Sequence, residues 1–313
     1  MKVSYLGPKG SFSEIALLNY FDNNAEPIPL PTIVEVFESI EKNESDYGII
    51  PIENSIEGSI NNTHDLLISS NVMITGEIEL LINQCLLSKD NSIENIEILY
   101  AHPQSLGQCQ NYIRLNLPGA ELLPVISNSE GAKMLVNSNE GCIGSDKLSS
   151  DYNLNILDSG IQDFSDNTTR FIIIGTQTAK KSSKDKTSII VSPPDSQDSG
   201  SLFKVLKSFA NYDVNLSRIE SRPSKRGKWN YVFFIDLEGH CNYKNIINAS
   251  KKNNSHFSKF EISGIPFGDG LIPIMAGPNM VESEELIVET GFKLNKNGGQ
   301  TEKLGAQLLR TSG

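Results

Sequence analysis

Thiol and imidazole groups are scarce in this 313-residue chain, which has four cysteines and four histidines. Cys85, Cys109, Cys142 and Cys241 lie far apart and form no CxxC pair, and His64, His102, His240 and His256 are equally scattered. Neither set suggests a metal site, and the thiols are expected to be reduced and mostly buried. No apolar run approaches the length that crosses a bilayer, and the first residues lack the basic-then-apolar layout of a signal peptide. Basic blocks are missing too. With 27 Lys+Arg against 38 Asp+Glu the net charge is −11, spread along the chain, which argues against nucleic acid or an anionic membrane as a partner. A cytoplasmic enzyme is the expectation, and an anionic substrate would have to rely on local positive groups.

What is present is concentrated in four segments. Ser165-Asp166-Asn167-Thr168-Thr169-Arg170-Phe171 runs into Ile172-Ile173-Ile174, placing a hydroxyl pair and a permanent cation at the mouth of a buried strand. The isoleucines are core. Arg170 either grips a carboxylate with two parallel hydrogen bonds or pairs with a structural acid. At the N-terminus, Gly7-Pro8-Lys9-Gly10-Ser11-Phe12-Ser13-Glu14 follows a short strand, and Ser11 and Glu14 have capping-box spacing. That helix end is either an anion site or an ordinary strand-to-helix turn. A third segment, Tyr47-Gly48-Ile49-Ile50-Pro51-Ile52-Glu53-Asn54-Ser55, reads as a strand that stops at Pro51 and delivers carboxylate, amide and hydroxyl groups beyond its end. The fourth is Ala101-His102-Pro103-Gln104-Ser105-Leu106-Gly107-Gln108-Cys109, with Pro103 suited to a first helical turn.

In this order and spacing the four segments resemble prephenate dehydratase, the family that converts prephenate to phenylpyruvate in phenylalanine biosynthesis. Downstream, Gly200-Ser201-Leu202-Phe203-Lys204-Val205-Leu206 and Asn215-Leu216-Ser217-Arg218-Ile219-Glu220-Ser221-Arg222-Pro223 resemble the two phenylalanine-binding motifs of the family's ACT regulatory domain. The resemblance implies an α/β fold: a two-lobed, periplasmic-binding-protein-like catalytic domain over residues 1–178, with lobe crossings near 72–87 and 161–171, then a ferredoxin-like ACT domain over 186–266. It implies a lyase that uses no cofactor. Thr169, Glu53, Asn54 and Ser55 are the implied catalytic group, with Thr169 donating to the departing hydroxyl and Glu53 or a bound water relaying a proton. Ser11, Phe12, Thr168, Arg170 and Phe171 are implied at the substrate, although core packing is the ordinary role for Phe171. Gly200, Ser201, Leu202, Glu220, Ser221, Arg222 and Pro223 would hold L-phenylalanine as a feedback inhibitor in a homodimer or homotetramer. A solute-binding module without catalysis is the alternative, and choice between prephenate and arogenate is open.

Alternating patterns predict helices near 11–21, 32–42, 105–114 and 127–136, the last opening on Ser127-x-x-Glu130, and strands near 3–6, 47–51, 96–101, 141–144 and 171–175. After the charged linker at 178–186, the order strand 187–192, helix 200–212, strands 214–221 and 231–237, helix 243–252 and strand 257–265 is a βαββαβ pattern. The tail contains Ile274-Met275-Ala276-Gly277-Pro278-Asn279, which resembles the opening strand of deoxy-arabino-heptulosonate phosphate synthase. Residues 267–313 are too few for that barrel and are expected to be an incomplete, independent fragment.

Overall fold

The computed structural model describes residues 1–177, 179, 181–192, 199–224, 230–254, 260–262, 265–267 and 274–278. Its first elements are β1 (Lys2–Leu6), α1 (Phe12–Phe21), β2 (Glu26–Leu30), α2 (Ile33–Glu41), β3 (Tyr47–Asn54), β4 (Gly58–Ser59), α3 (Asn61–Ser69) and β5 (Met73–Leu81). There follow β6 (Cys85–Ser88), β7 (Ile98–Ala101), α4 (Pro103–Gln108), α5 (Gln110–Asn116), β8 (Glu121–Pro124), α6 (Asn128–Met134), β9 (Glu140–Gly144), α7 (Lys147–Tyr152) and β10 (Asn155–Ser159). The rest comprises β11 (Thr168–Gly175), β12 (Asp185–Val191), α8 (Ser201–Asn211), β13 (Leu216–Pro223), β14 (Tyr231–Glu238), α9 (Lys244–Asn254), β15 (Phe260–Ile262), β16 (Ile265–Phe267) and β17 (Ile274–Pro278). The chain is of mixed α/β class.

Local chemistry accounts for several of these boundaries. The Ser11 hydroxyl accepts from the Glu14 N–H at 3.4 Å and caps α1, and Ser127 does the same for Glu130 at 3.1 Å to open α6. Pro103 occupies the first turn of α4, behind His102, whose Nδ1 accepts from the Gln104 N–H. The helix expected over 105–114 is two helices, because Cys109 leaves helical geometry at φ −118° and ψ 20°. Its buried thiol packs into the core there. Strand β3 does not stop at Pro51 but continues to Asn54, which pairs with Gly58 in a short hairpin.

One sheet runs β2-β1-β3-β11-β5, with β4 appended to β3, and a second runs β10-β6-β9-β7-β8. The chain therefore changes sheet between Leu81 and Cys85 and returns between Ser159 and Thr168. In the second sheet β7 lies parallel to β8 and β9, while β6 is antiparallel to β9 and β10. Alternation along β6 splits its side chains between two cores: Leu86 packs with Leu99, Ile113 and Ile143, whereas Cys85 and Leu87 pack with Tyr100, Cys142 and Leu148. In β11 the run Phe171–Ile174 is buried throughout, as befits a strand covered on both faces.

The described chain divides into two compact units. One comprises Met1–Val36, Ile49–Ile60 and Glu79–Phe171, and the other Phe37–Gly48, Asn61–Ile78 and the residues from Ile172 onward. In the second unit, β12, β13, β14 and β17 form an antiparallel sheet in the order β13-β14-β12-β17. Val205 and Phe209 of α8 and Ile246 and Ala249 of α9 close a core with Ile189, Val191, Ile235 and Leu237. The strand expected at 257–265 is instead two short strands, β15 and β16, paired with each other. The strand beside β12 is β17, from the stretch set apart as an independent fragment: Asp185–Ile189 pairs with Pro278–Ile274. The remainder of 267–313 lies outside the described residues.

Candidate active site

The polar residues at the ends of β3 and β11 meet inside the first unit. Asn54 is 5% exposed and Thr169 is 8% exposed, and the Asn54 Nδ2 donates to Thr169 Oγ1 at 3.0 Å and to Asn167 Oδ1 at 2.7 Å, with a longer approach to the Thr168 carbonyl at 3.3 Å. On its other side the Asn54 Oδ1 accepts from the backbone N–H groups of Ile56 and Glu57, each at 3.0 Å. The amide is thus spent on the protein, an Asx-type turn holding the β3–β4 corner. Within the implied catalytic group, Asn54 therefore holds Thr169 directly.

Thr169 differs from its neighbours in what it has left. Its oxygen accepts from Asn54, so its hydrogen is directed elsewhere, and a hydroxyl that accepts one hydrogen bond donates the next more strongly. The Ser55 hydroxyl is committed: it accepts from the Thr168 N–H at 2.9 Å and donates to the Asp166 carbonyl at 3.4 Å, while its own N–H donates to the Thr168 carbonyl at 2.8 Å. The Thr168 hydroxyl donates to the Asp166 carbonyl at 3.0 Å. Ser55 and Thr168 staple the start of β11 to the turn after β3.

Glu53 and Arg170 lie across the strand pair from this group. Side chains alternate along a strand, so Arg170 faces opposite to Thr169, and Glu53 opposite to Asn54. Arg170 instead approaches Glu53, Nη1 to Oε2 at 3.9 Å, with the guanidinium side chain 11% exposed. Of the two roles open to Arg170, this approach is consistent with pairing to a structural acid. The same geometry argues against Glu53 as a relay to Thr169. Phe171 shares the parity of Thr169 and is 2% exposed, a core residue.

The Ser11 loop is built differently from an open anion site. The Ser11 hydroxyl donates to the Leu6 carbonyl at 3.2 Å while capping α1, and the buried Glu14 carboxylate accepts from the Gly10 N–H at 2.6 Å. A carboxylate therefore already stands at this helix end, leaving the Phe12 and Ser13 N–H groups there. Lys147 lies 3.9 Å from Glu14 and 3.3 Å from Asp151, and Lys9 lies 3.5 Å from Asp151. Burial, with the charges of Glu14 and Asp151 behind it, pushes the Tyr5 phenol far above its ordinary range, so it stays protonated. The Ser129 and Ser145 hydroxyls donate to the Lys9 and Gly10 carbonyls at 2.6 and 2.9 Å, tying the loop to α6 and to the end of β9. Phe12 is half-buried. Among the described residues no hydrogen bond joins Ser11 or Phe12 to the Asn54–Thr169 group.

A further set carried no assigned role in the sequence. Gln84, 2% exposed, donates through Nε2 to Ser105 Oγ and Gln108 Oε1, both at 3.2 Å, and Asn128 Nδ2 donates to Ser105 Oγ at 2.8 Å. Gln108 in turn donates to Glu57 at 2.8 Å, on the turn that Asn54 caps. The Gln84 Oε1 is buried without a hydrogen-bond partner. The Ser105-x-x-Gln108 spacing on one helical face was the available signal; Gln84, in the connection from β5 to β6, and Asn128, at the start of α6, are distant in sequence and had none.

No cluster of His, Cys, Asp and Glu able to hold a metal ion occurs among the described residues. The four cysteines are free and buried; burial pushes the Cys85 thiol up to about 11 and those of Cys109, Cys142 and Cys241 up to about 12. They are inert at neutral pH. Among the described residues no helix is long and apolar enough to cross a membrane.

Residues 3–179 match the family model described as prephenate dehydratase. The chain belongs to the prephenate dehydratase family. The bifunctional chorismate mutase/prephenate dehydratase of Aquifex aeolicus is 41% identical over 262 residues, covering 83% of this chain and 72% of that one. The prephenate dehydratase of Bacillus subtilis is 36% identical over 252 residues, 76% of this chain and 88% of that one. Among solved structures, the prephenate dehydratase of Arthrobacter aurescens in complex with L-Phe superposes with a TM-score of 0.73 at 30% identity, covering 80% of this chain and 85% of that one. The match to the family model spans the residues Asn54, Asn167 and Thr169.

Proposed function

We propose that the chain is a carbon–oxygen lyase that converts prephenate to phenylpyruvate. The reaction breaks the bond between the ring and its carboxylate, whose electron pair enters the ring and expels the hydroxyl at the opposite carbon; one proton converts that hydroxide to water, and carbon dioxide leaves. Aromatisation supplies the driving force. The protein has to hold a dianion and stabilise charge growing on the departing oxygen. The observation that carries the reading is the buried Thr169 hydroxyl, held through its oxygen by Asn54 with its hydrogen free to be directed at a ligand. Such a positioned donor acts where charge develops. A bound water, not Glu53, is the proton source consistent with the sheet geometry. The backbone N–H groups of Phe12 and Ser13, with Lys147 and Lys9 nearby, are the candidates for a substrate carboxylate. The test is direct: purified protein and prephenate should give the absorbance of phenylpyruvate in base, and arogenate assayed alongside fixes the preference.

The second region is assigned as a ferredoxin-like ACT domain that binds L-phenylalanine and inhibits the reaction by feedback. The strand order β13-β14-β12-β17 with α8 and α9 supports the topology, and β17 supports a boundary near 278 rather than 266, after a catalytic domain ending near 178. Gly200 caps α8 in the left-handed region at φ 80°, where the missing Cβ leaves the backbone open to a ligand; Ser201 and Leu202 follow it, and Glu220, Ser221, Arg222 and Pro223 end β13. Arg222 also donates to Asn61 at 2.6 Å and to Asp65 at 3.1 Å on α3. The L-Phe complex of the Arthrobacter relative supports the choice of ligand. A cytoplasmic homodimer or homotetramer completes the assignment. Inhibition should appear when phenylalanine is raised at fixed prephenate, and Gly200→Val should abolish it.

A further inference from the structure

We infer that Asn167, which is 1% exposed, is a positioning residue that sets the direction of the Thr169 hydroxyl; this rests on the dehydratase reading above. The argument is one of hydrogen-bond arithmetic. Asn54 has one carbonyl oxygen and two amide hydrogens. Its oxygen is fixed by two backbone donors, Ile56 and Glu57, so the amide cannot turn over without setting its hydrogens against theirs. Both hydrogens must then point toward β11, where Asn167 Oδ1, Thr169 Oγ1 and, further off, the Thr168 carbonyl compete for them.

Asn167 decides that competition. At 2.7 Å it makes the shortest of the three contacts, and by taking one hydrogen it leaves the other for Thr169. Thr169 must then accept from Asn54, and its own hydrogen cannot point back at Asn54. Asn167 is anchored through its backbone: it is 1% exposed, its N–H donates to the Phe164 carbonyl at 3.3 Å, and its carbonyl accepts from the Ile82 N–H at 2.8 Å. Those bonds tie it to both segments where the chain changes sheet. Without the Asn167 acceptor, the amide is free to swing toward the Thr168 carbonyl, and the Thr169 hydroxyl regains a rotamer in which it serves as the acceptor for a ligand instead of the donor.

The experiment is steady-state kinetics with prephenate on wild type, Asn167→Ala, Asn167→Asp, Thr169→Ala and the Asn167→Ala/Thr169→Ala pair, each with a urea midpoint. Asn167→Ala should lower kcat on the order of thirtyfold with KM within about threefold, because only the transition-state donor is misdirected. The double variant should be no slower than Thr169→Ala alone, since Asn167 acts through that hydroxyl. Asn167→Asp keeps an acceptor and should recover most of kcat, with a new acid limb in its pH profile where the carboxylate takes up a proton. A residue needed only for folding would move the urea midpoint and give neither the limb nor the non-additivity. If Asn167→Ala is insoluble, the aspartate variant decides alone, by the presence or absence of the limb. Normal kcat in Asn167→Ala beside a dead Thr169→Ala, or rate losses that multiply in the double variant, overturn the inference and leave the dehydratase reading intact. A wild type that makes no phenylpyruvate overturns both.

Discussion

Gly10 combines two demands that can be separated by substitution. It lies in the left-handed region at φ 84°, and a Cβ placed there would fall well inside van der Waals contact of Leu148 Cδ2 and 3.1 Å from Ser129 Oγ. Leu148 is fully buried, so its methyl has to shift within the packed interior. Alanine at this position costs about 1 kcal/mol for the backbone conformation and about 1–3 kcal/mol for overpacking, together about 2–4 kcal/mol. Gly58, at φ 81° with nothing within 4 Å of a built Cβ, isolates the first cost and should lose only about 1 kcal/mol. Urea denaturation of both variants, with the slope checked for constancy, measures the difference. In the Gly10→Ala/Leu148→Ala pair the steric part should vanish, giving a coupling of at least about 1 kcal/mol. If Gly10→Ala falls no further than Gly58→Ala, or if the pair is additive, the packing of the Ser11 loop against α7 is wrong.

Three other outcomes follow from buried groups and strand pairing. His240 donates to the Ala179 carbonyl at 3.1 Å and is buried beside Asp185 and Lys181; burial holds its pKa below the ordinary 6.5. The unfolded chain therefore binds the extra proton first, so the stability is complete above about pH 6.5 and is lost as pH falls through the folded-state pKa; His240→Gln should flatten melting temperature against pH in that window. Iodoacetamide at neutral pH should label none of Cys85, Cys109, Cys142 and Cys241 in the native protein within minutes and all four in urea, because burial keeps each thiol protonated. Removing 271–313 strips β12 of the five-residue pairing with β17 and should lower the melting temperature by several degrees and promote association through the exposed edge. An unchanged melt would restore the view that this stretch is an independent appendage.

The legible parts of the sequence were those whose signal is local. The Ser11 and Ser127 caps depend on residues three apart, and the Ile172–Ile174 run declares its own burial. What escaped depends on partners distant in sequence. Pro51 looked like the end of a strand because proline lacks a donor, yet β3 passes through it and carries Glu53 and Asn54 inside the strand. Once both are strand residues, alternation sends them to opposite faces, and the same holds for Thr169 and Arg170. Asn54 and Thr169 are thereby set on one side of the strand pair, and Glu53 and Arg170 on the other. Adjacency in sequence, which made the motif conspicuous, was what separated them in space. The fourth strand of the second unit was misplaced for a related reason: strand propensity at 257–265 and at 274–278 is similar, and only pairing with β12 distinguishes them. Asn167 lay inside the most conspicuous motif, but its value comes from Asn54, more than a hundred residues earlier.

The central claim, that Thr169 supplies the hydrogen bond on which departure of the hydroxyl depends, is tested most directly by kcat and KM for prephenate in Thr169→Ala and Thr169→Ser. The account predicts a loss of kcat on the order of a hundredfold in the alanine variant, equivalent to about 3 kcal/mol, with KM little changed, an unaltered urea midpoint and partial recovery with serine. Near-normal turnover in Thr169→Ala, or a loss expressed wholly in KM, would contradict it.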